Sequence, residues 1–148
     1  MMSDYTHILV AVDFSSSSEQ IVTKARDIAK NNNARLSLLH IVEYLPPIDS
    51  IYEPVLASTW AIDETELLSQ AKNSLKKFSK KLNLDDAQQQ VVLGTPKHEI
   101  SQFVKDQQCD LIVMGSHGRH GINILLGSTA NAVLHEMPCD ILAVKIPS

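Results

Sequence analysis

The sequence predicts an α/β protein, a five-stranded parallel sheet with helices on both faces. Short apolar runs rich in β-branched residues recur along the 148 residues, each followed by a stretch of helical spacing. Such alternation builds parallel strands joined by crossover helices. The runs are unbroken, as in Ile8-Leu9-Val10-Ala11-Val12, which is the pattern of strands covered on both sides. The length fits one domain, residues 1–148, large enough to bury its core without disulfides or metal.

Ile8 to Val12 is the first strand. Ser16 and Glu19 have the spacing of a capping box, after which Ile21, Ala25 and Ile28 line one helix face. Leu36 to Val42 is the second strand. The 17 residues from Tyr44 to Trp60 hold Pro46, Pro47 and Pro54 and match no regular element; loops this long are usually mobile or functional. Ile51 and Leu56 within it are candidates for dimer or lid contacts, with an unstructured excursion as the alternative. Leu68, Ala71, Leu75, Phe78 and Leu82 recur at helical spacing and predict a long helix. Gln90 to Leu93 reads as a weaker strand. Thr95-Pro96 has the form of an N-cap and first helical residue, opening a helix that turns Ile100, Phe103 and Val104 inward. Leu111 to Met114 is the fourth strand and runs into Gly115. Ser128 caps a short helix carrying Ala130, Val133, Leu134 and Met137, stopped by Pro138, and Ile141 to Val144 is the fifth strand.

Hydrophobic residues make up 44% and charged residues 20%, the balance of a soluble globular domain. The net charge is −4 with no Lys/Arg block, so the basic patch that tracks nucleic-acid phosphates is missing. The opening MMSDYTHILVAVDF lacks a basic leader, and its apolar run stops at Asp13, too short for a signal peptide or membrane span. The expectation is a cytoplasmic protein that binds neither nucleic acid nor membrane. Cys109 and Cys139 suit a reducing compartment. Each heads a Cys-Asp pair before a strand, which places both thiols at one end of the sheet as small core residues.

In sheets of this kind ligands sit beyond the carboxyl ends of the strands, where strand order reverses. That selects Asp13-Phe14-Ser15, Glu43, Gly94-Thr95 and Gly115-Ser116-His117-Gly118. The stretch from 115 to 129 reads GSHGRHGINILLGST. Gly115 and Gly118 let backbone N–H groups approach a ligand without a Cβ in the way. Gly127-Ser128 begins a helix, whose unpaired N–H groups favour an anion, and Arg119 and His120 add positive charge. A simple strand-to-helix corner is the alternative. For Asp13 the alternative is a cap on its own loop.

Val12-Asp13-Phe14-Ser15 after the first strand, MGSHG at the end of the fourth, GST at a helix start and PCDILAVK near the close follow in this order over essentially the whole chain. In these motifs the sequence resembles the universal stress protein family. The resemblance implies a Rossmann-like, adenine nucleotide alpha hydrolase-like fold of strand order 3-2-1-4-5, and a homodimer whose last strands pair antiparallel. It places the reversal between strands one and four, with the Asp13 and Gly115 loops facing each other across a crevice. Members that bind ATP carry G-x2-G-x9-G-[S/T]. By position, the resemblance implies that Asp13 and the backbone near Ala11 and Val12 meet adenine or ribose, and that Ile41 packs on the base. Gly115, Gly118, Gly127 and Ser128 would surround the phosphates. Met114, His117, Arg119 and Thr129 beside them complete the candidate set, with solvent exposure the plain alternative for His117. The ligand so implied is ATP, with AMP or ADP as alternatives and Mg²⁺ accompanying the nucleotide.

The chain departs from the pattern at one place. Gly115-x2-Gly118 matches, but only eight residues, Arg119 to Leu126, precede Gly127. One missing residue removes up to roughly 3.3–3.6 Å of reach, far more than a hydrogen bond tolerates. Either the loop absorbs the deletion locally, with Gly121 supplying unusual dihedrals, or the triphosphate contacts are lost.

The histidines His7, His40, His98, His117, His120 and His135 form no ligand spacing, so no metal site is expected. Ser128 lacks a nucleophile elbow and no Walker lysine follows the glycines. The expectation is a regulator that is no enzyme, at most hydrolysing ATP slowly and incidentally, and that contacts an unidentified protein partner. Two rivals stand beside it: a nucleotide-free dimeric interaction protein of the same fold, and an enzyme such as a pyrophosphatase or adenylyltransferase.

Overall fold

A computed structural model describes residues 5–43, 64–84, 87–115, 128–136 and 138–145, the side chains of 128–130 and 134 excepted. Its strands are β1 (His7–Ala11), β2 (Arg35–Val42), β3 (Gln88–Leu93), β4 (Leu111–Gly115) and β5 (Asp140–Val144). Its helices are α1 (Ser18–Asn32), α2 (Glu64–Lys81), α3 (Pro96–Gln107) and α4 (Ser128–Glu136). The strands form a five-stranded sheet in the order β3-β2-β1-β4-β5, every pairing parallel. Fold class and strand order are those expected. The stretch from Tyr44 to Trp60, with Ile51 and Leu56, lies outside the described residues, as does Met137.

Register follows from β1 at the centre. It pairs with β2 from His7↔Arg35 to Ala11↔Leu39, and with β4 from Ile8↔Leu111 to Val10↔Val113. Successive side chains of a strand point to opposite faces, so β1 splits its residues between two cores. Ile8, Val10 and Val12 pack with Ile21, Val22, Ala25 and Ala29 of α1 and Leu75 of α2. Leu9 packs on the other side with Ile100, Phe103 and Val104 of α3 and Val133 of α4. Both faces are therefore covered, which is why β1 and β4 read as unbroken apolar runs.

The elements differ from expectation at their starts. β3 opens at Gln88, two residues before the expected Gln90, because it pairs there with Ser37 and Leu38 of β2; as an outer strand it tolerates polar side chains. The Ser16–Glu19 capping box is not formed. The N-cap is Ser17, which makes no side-chain cap bond, and the helix starts at Ser18. Ser18 donates its hydroxyl to Asp13 Oδ1 at 3.1 Å, while Glu19 pairs across the surface with Lys81 of α2 at 3.2 Å. The turn after β1 thus sets the helix start. Thr95 and Pro96 are N-cap and first helical residue as expected, the cap being the Thr95 carbonyl bonded by Glu99 N–H at 3.0 Å, with no bond from the hydroxyl.

Candidate functional site

The order β2-β1-β4 places the reversal of strand order between β1 and β4. Past Val10↔Val113, β1 continues into Ala11, Val12 and Asp13, and β4 into Met114 and Gly115. These residues come together at the carboxyl end of the sheet's centre. Ala11, Ile41 and Met114 belong to the core that faces α3 and α4, and Val12 belongs to the opposite one. Gly115 is half-buried and pairs with Val144 of β5. Ser128 and Thr129 open α4. His117, Gly118, Arg119, His120, Gly121 and Gly127 lie outside the described residues.

Asp13 shapes the turn after β1. Its Oδ1 accepts from Ser15 N–H at 3.0 Å and from the Ser18 hydroxyl at 3.1 Å, a loop cap of the kind Asp favours. Oδ2 makes no bond among the described residues. Ser15 Oγ is buried and has no hydrogen-bond partner among the described residues.

Two features of the candidate site escaped the sequence reading, which selected Phe14 by its position alone and gave His40 no place there. Phe14 sits at φ 59, the left-handed region that side chains rarely adopt. His40 of β2 reaches the turn with Nδ1 2.6 Å from Val12 O, and its ring lies 4.4 Å from that of Phe14. No local motif announces either feature. The remaining strand ends lie to one side: Gly94, after β3, donates to Val42 O at 3.0 Å, and Glu43 is exposed.

The opposite end of the sheet carries the thiols, as expected from the two Cys-Asp pairs. Cys109 Sγ lies 3.7 Å from Nδ1 of His7, a buried ring whose Nε2 is 2.6 Å from Ser37 Oγ. Burial pushes the Cys109 thiol up to about 12, aided by the charges of Cys139 and Asp110 against Arg35. Burial, then Asp140 and Asp110, raise Cys139 to about 11. Thiols held protonated in this way are poor nucleophiles. Burial also raises Asp110, but N–H donors of His7 and Thr6 and the Thr6 hydroxyl outweigh it and hold the carboxyl below its usual range. Among the described residues no group of three or more His, Cys, Asp or Glu is placed to hold a metal ion. No helix among them is long and apolar enough to cross a membrane.

The family model described as Universal stress protein family matches residues 4–145. The chain is 42% identical over 147 residues to Universal stress protein A homolog 2 of Coxiella burnetii, a match spanning 98% of each chain. Among solved structures, the hypothetical protein MJ0577 matches with a TM-score of 0.77 at 26% identity, over 97% of this chain and 98% of that one. A universal stress protein in complex with cAMP matches with a TM-score of 0.61 at 25% identity, over 95% and 96% respectively.

Proposed function

Since the chain belongs to the universal stress protein family, we propose that it is a dimeric stress-response regulator that binds ATP or a related adenine nucleotide between the ends of β1 and β4. The observation that carries this reading is the Asp13 turn, held in shape by Oδ1 while Oδ2 stays unbonded among the described residues at the reversal of strand order. A solved relative of the same fold is a complex with cAMP, which supports an adenine nucleotide as the ligand class.

The residues present fit such a ligand. Asp13 Oδ2 is an acceptor suited to a ribose hydroxyl or the adenine amino group, and Ile41 and Met114 offer apolar surface to a base. The N-terminus of α4 at Ser128 and Thr129 supplies unpaired N–H groups and a positive dipole end for phosphates. Gly115, Gly118 and Gly127 would let the backbone approach, with His117 and Arg119 adding charge and Mg²⁺ entering with the triphosphate. The bound nucleotide would supply a charge-dense tail whose presence or length a protein partner senses. In this reading the protein acts as a binder in the cytoplasm, with hydrolysis at most slow; the sequence has no Walker lysine after the glycines, and no nucleophile–base pair lies beside Asp13 among the described residues.

The shortened span Arg119–Leu126 favours one second reading, a nucleotide-free interaction protein of the same fold. Mass spectrometry of ligand released from the native protein, followed by calorimetric titration, separates the two. The expected result is a co-purifying adenine nucleotide, saturable ATP binding, and affinity lowered at least tenfold in Asp13→Ala. Absence of a saturable signal at millimolar ATP supports the nucleotide-free reading.

A further inference from the structure

We propose that His40 is the positioning residue of this site, holding the two residues that flank Asp13. The proposal rests on the nucleotide reading for its functional consequence, though the positioning itself is testable without ligand. The Val12 carbonyl, part of the peptide leading into Asp13, lies 2.6 Å from His40 Nδ1. A carbonyl only accepts, so Nδ1 carries the proton and donates it there. The same ring packs on Phe14 at 4.4 Å and 41°, and Phe14 meets the Phe78 ring edge-on at 6.1 Å. Phe14 is the residue in the left-handed region, at φ 59. A non-glycine residue persists there when its surroundings over-determine it, and such residues gather at ligand sites. One imidazole thus fixes Val12 through its carbonyl and Phe14 through its ring.

Asp13 lies between those two residues, and hydrogen bonds hold the chain on either side of it. Val12 N–H is held by Leu39 O at 2.8 Å, and beyond Phe14 the Ser15 N–H is held by Asp13 Oδ1 itself. His40 and Ile41 are consecutive in β2 and so project to opposite faces of the sheet. Ile41 lies in the core that includes Ala11 and Met114, while His40 packs with Phe14 behind the turn. His40 therefore acts on a ligand only through Asp13.

Three variants separate this role from that of an ordinary satisfied core histidine. His40→Phe keeps a ring on Phe14 and removes the donor. His40→Asn places an amide donor where Nδ1 stands, and His40→Gln places one where Nε2 stands. The expected result is a rise of tenfold or more in the ATP dissociation constant for His40→Phe and His40→Gln, with His40→Asn restored to within about threefold of the parent. In an Asp13→Ala background His40→Phe should add nothing, since residues acting as a unit are non-additive. Independently of ATP, exchange of the Ser15 amide proton should speed up tenfold or more in His40→Phe and His40→Gln and return in His40→Asn. If His40→Phe does not fold, the Asn and Gln pair decides.

Unchanged Ser15 exchange in both donor-removing variants, or additive losses with Asp13→Ala, overturns the proposal. If the parent protein binds no ATP while Ser15 exchange follows the expected order, the nucleotide reading falls and the positioning role of His40 stands.

Discussion

Two aspartates at opposite ends of the sheet perform one local task on different segments. Asp13 gathers Ser15 and Ser18 into the turn after β1. Asp110 gathers the chain before β1, accepting from Thr6 N–H at 2.8 Å, Thr6 Oγ1 at 3.0 Å and His7 N–H at 3.0 Å. Because these donors depress the Asp110 carboxyl in the folded state, its contribution to stability is present above the unfolded value near 3.8 and is lost as pH falls through the lower folded value. Asp110→Asn should therefore cost about 1 kcal/mol at pH 7, the scale of a charge-assisted bond reduced by solvent exposure. Urea unfolding measured from pH 7 down to pH 2 should show the parent and variant curves converging at the acid end. A constant gap across that range would mean that the charge on Asp110 contributes nothing.

Among the elements, the helices end more informatively than they begin. α1 stops at Asn33 with φ 53 and ψ 42, its N–H returning to Ala29 and Lys30 carbonyls, and α3 stops at Gln108 with φ 54. These are left-handed C-terminal caps made without glycine. Asn tolerates that conformation through its short polar side chain, and alanine does not. Asn33→Ala should lose about 1 kcal/mol and Asn33→Gly should keep parental stability, both read from denaturant midpoints. Helix faces were legible because their apolar residues recur every three to four positions: Ile21, Ala25, Leu75, Ile100 and Phe103 pack where that spacing puts them. The start of α1 was not. Four consecutive serines, Ser15 to Ser18, offer several equivalent capping registers, and the choice among them is made by Asp13, a contact the helix pattern does not contain. The opening of β3 was hidden for a related reason: three glutamines occupy a strand whose pairing with β2, rather than its composition, makes it extended.

At the scale of the whole molecule, strand order brings together what is far apart in the sequence. Asp13 and Gly115 were legible as candidate site residues because both follow apolar runs, and the parallel sheet brings those positions together where strand order reverses. The conformation of Phe14 and the reach of His40 were not, since neither a positive φ on an aromatic residue nor a hydrogen bond from β2 to the end of β1 leaves a local trace. The thiols were legible by the same logic as the site, through the repeated Cys-Asp before β4 and β5. Association through β5 belongs to this scale too. The proposed homodimer should scatter light with twice the monomer mass at micromolar concentration. Ala143→Glu, at an exposed position of β5, should shift it to monomer while leaving the circular dichroism spectrum unchanged; a monomeric parent protein would remove β5 as the interface.

The two margins of the sheet are not alike. One, β3, presents exposed Gln88 and Gln90, and the other, β5, carries half-buried Ile141 and Leu142 beside exposed Ala143. A ribbon that was sticky along both borders would recruit copy after copy into a fibre. With one greasy border and one amide-lined border among the described residues, the proposed union of like with like through β5 would consume the attractive rim, and growth would halt at a pair.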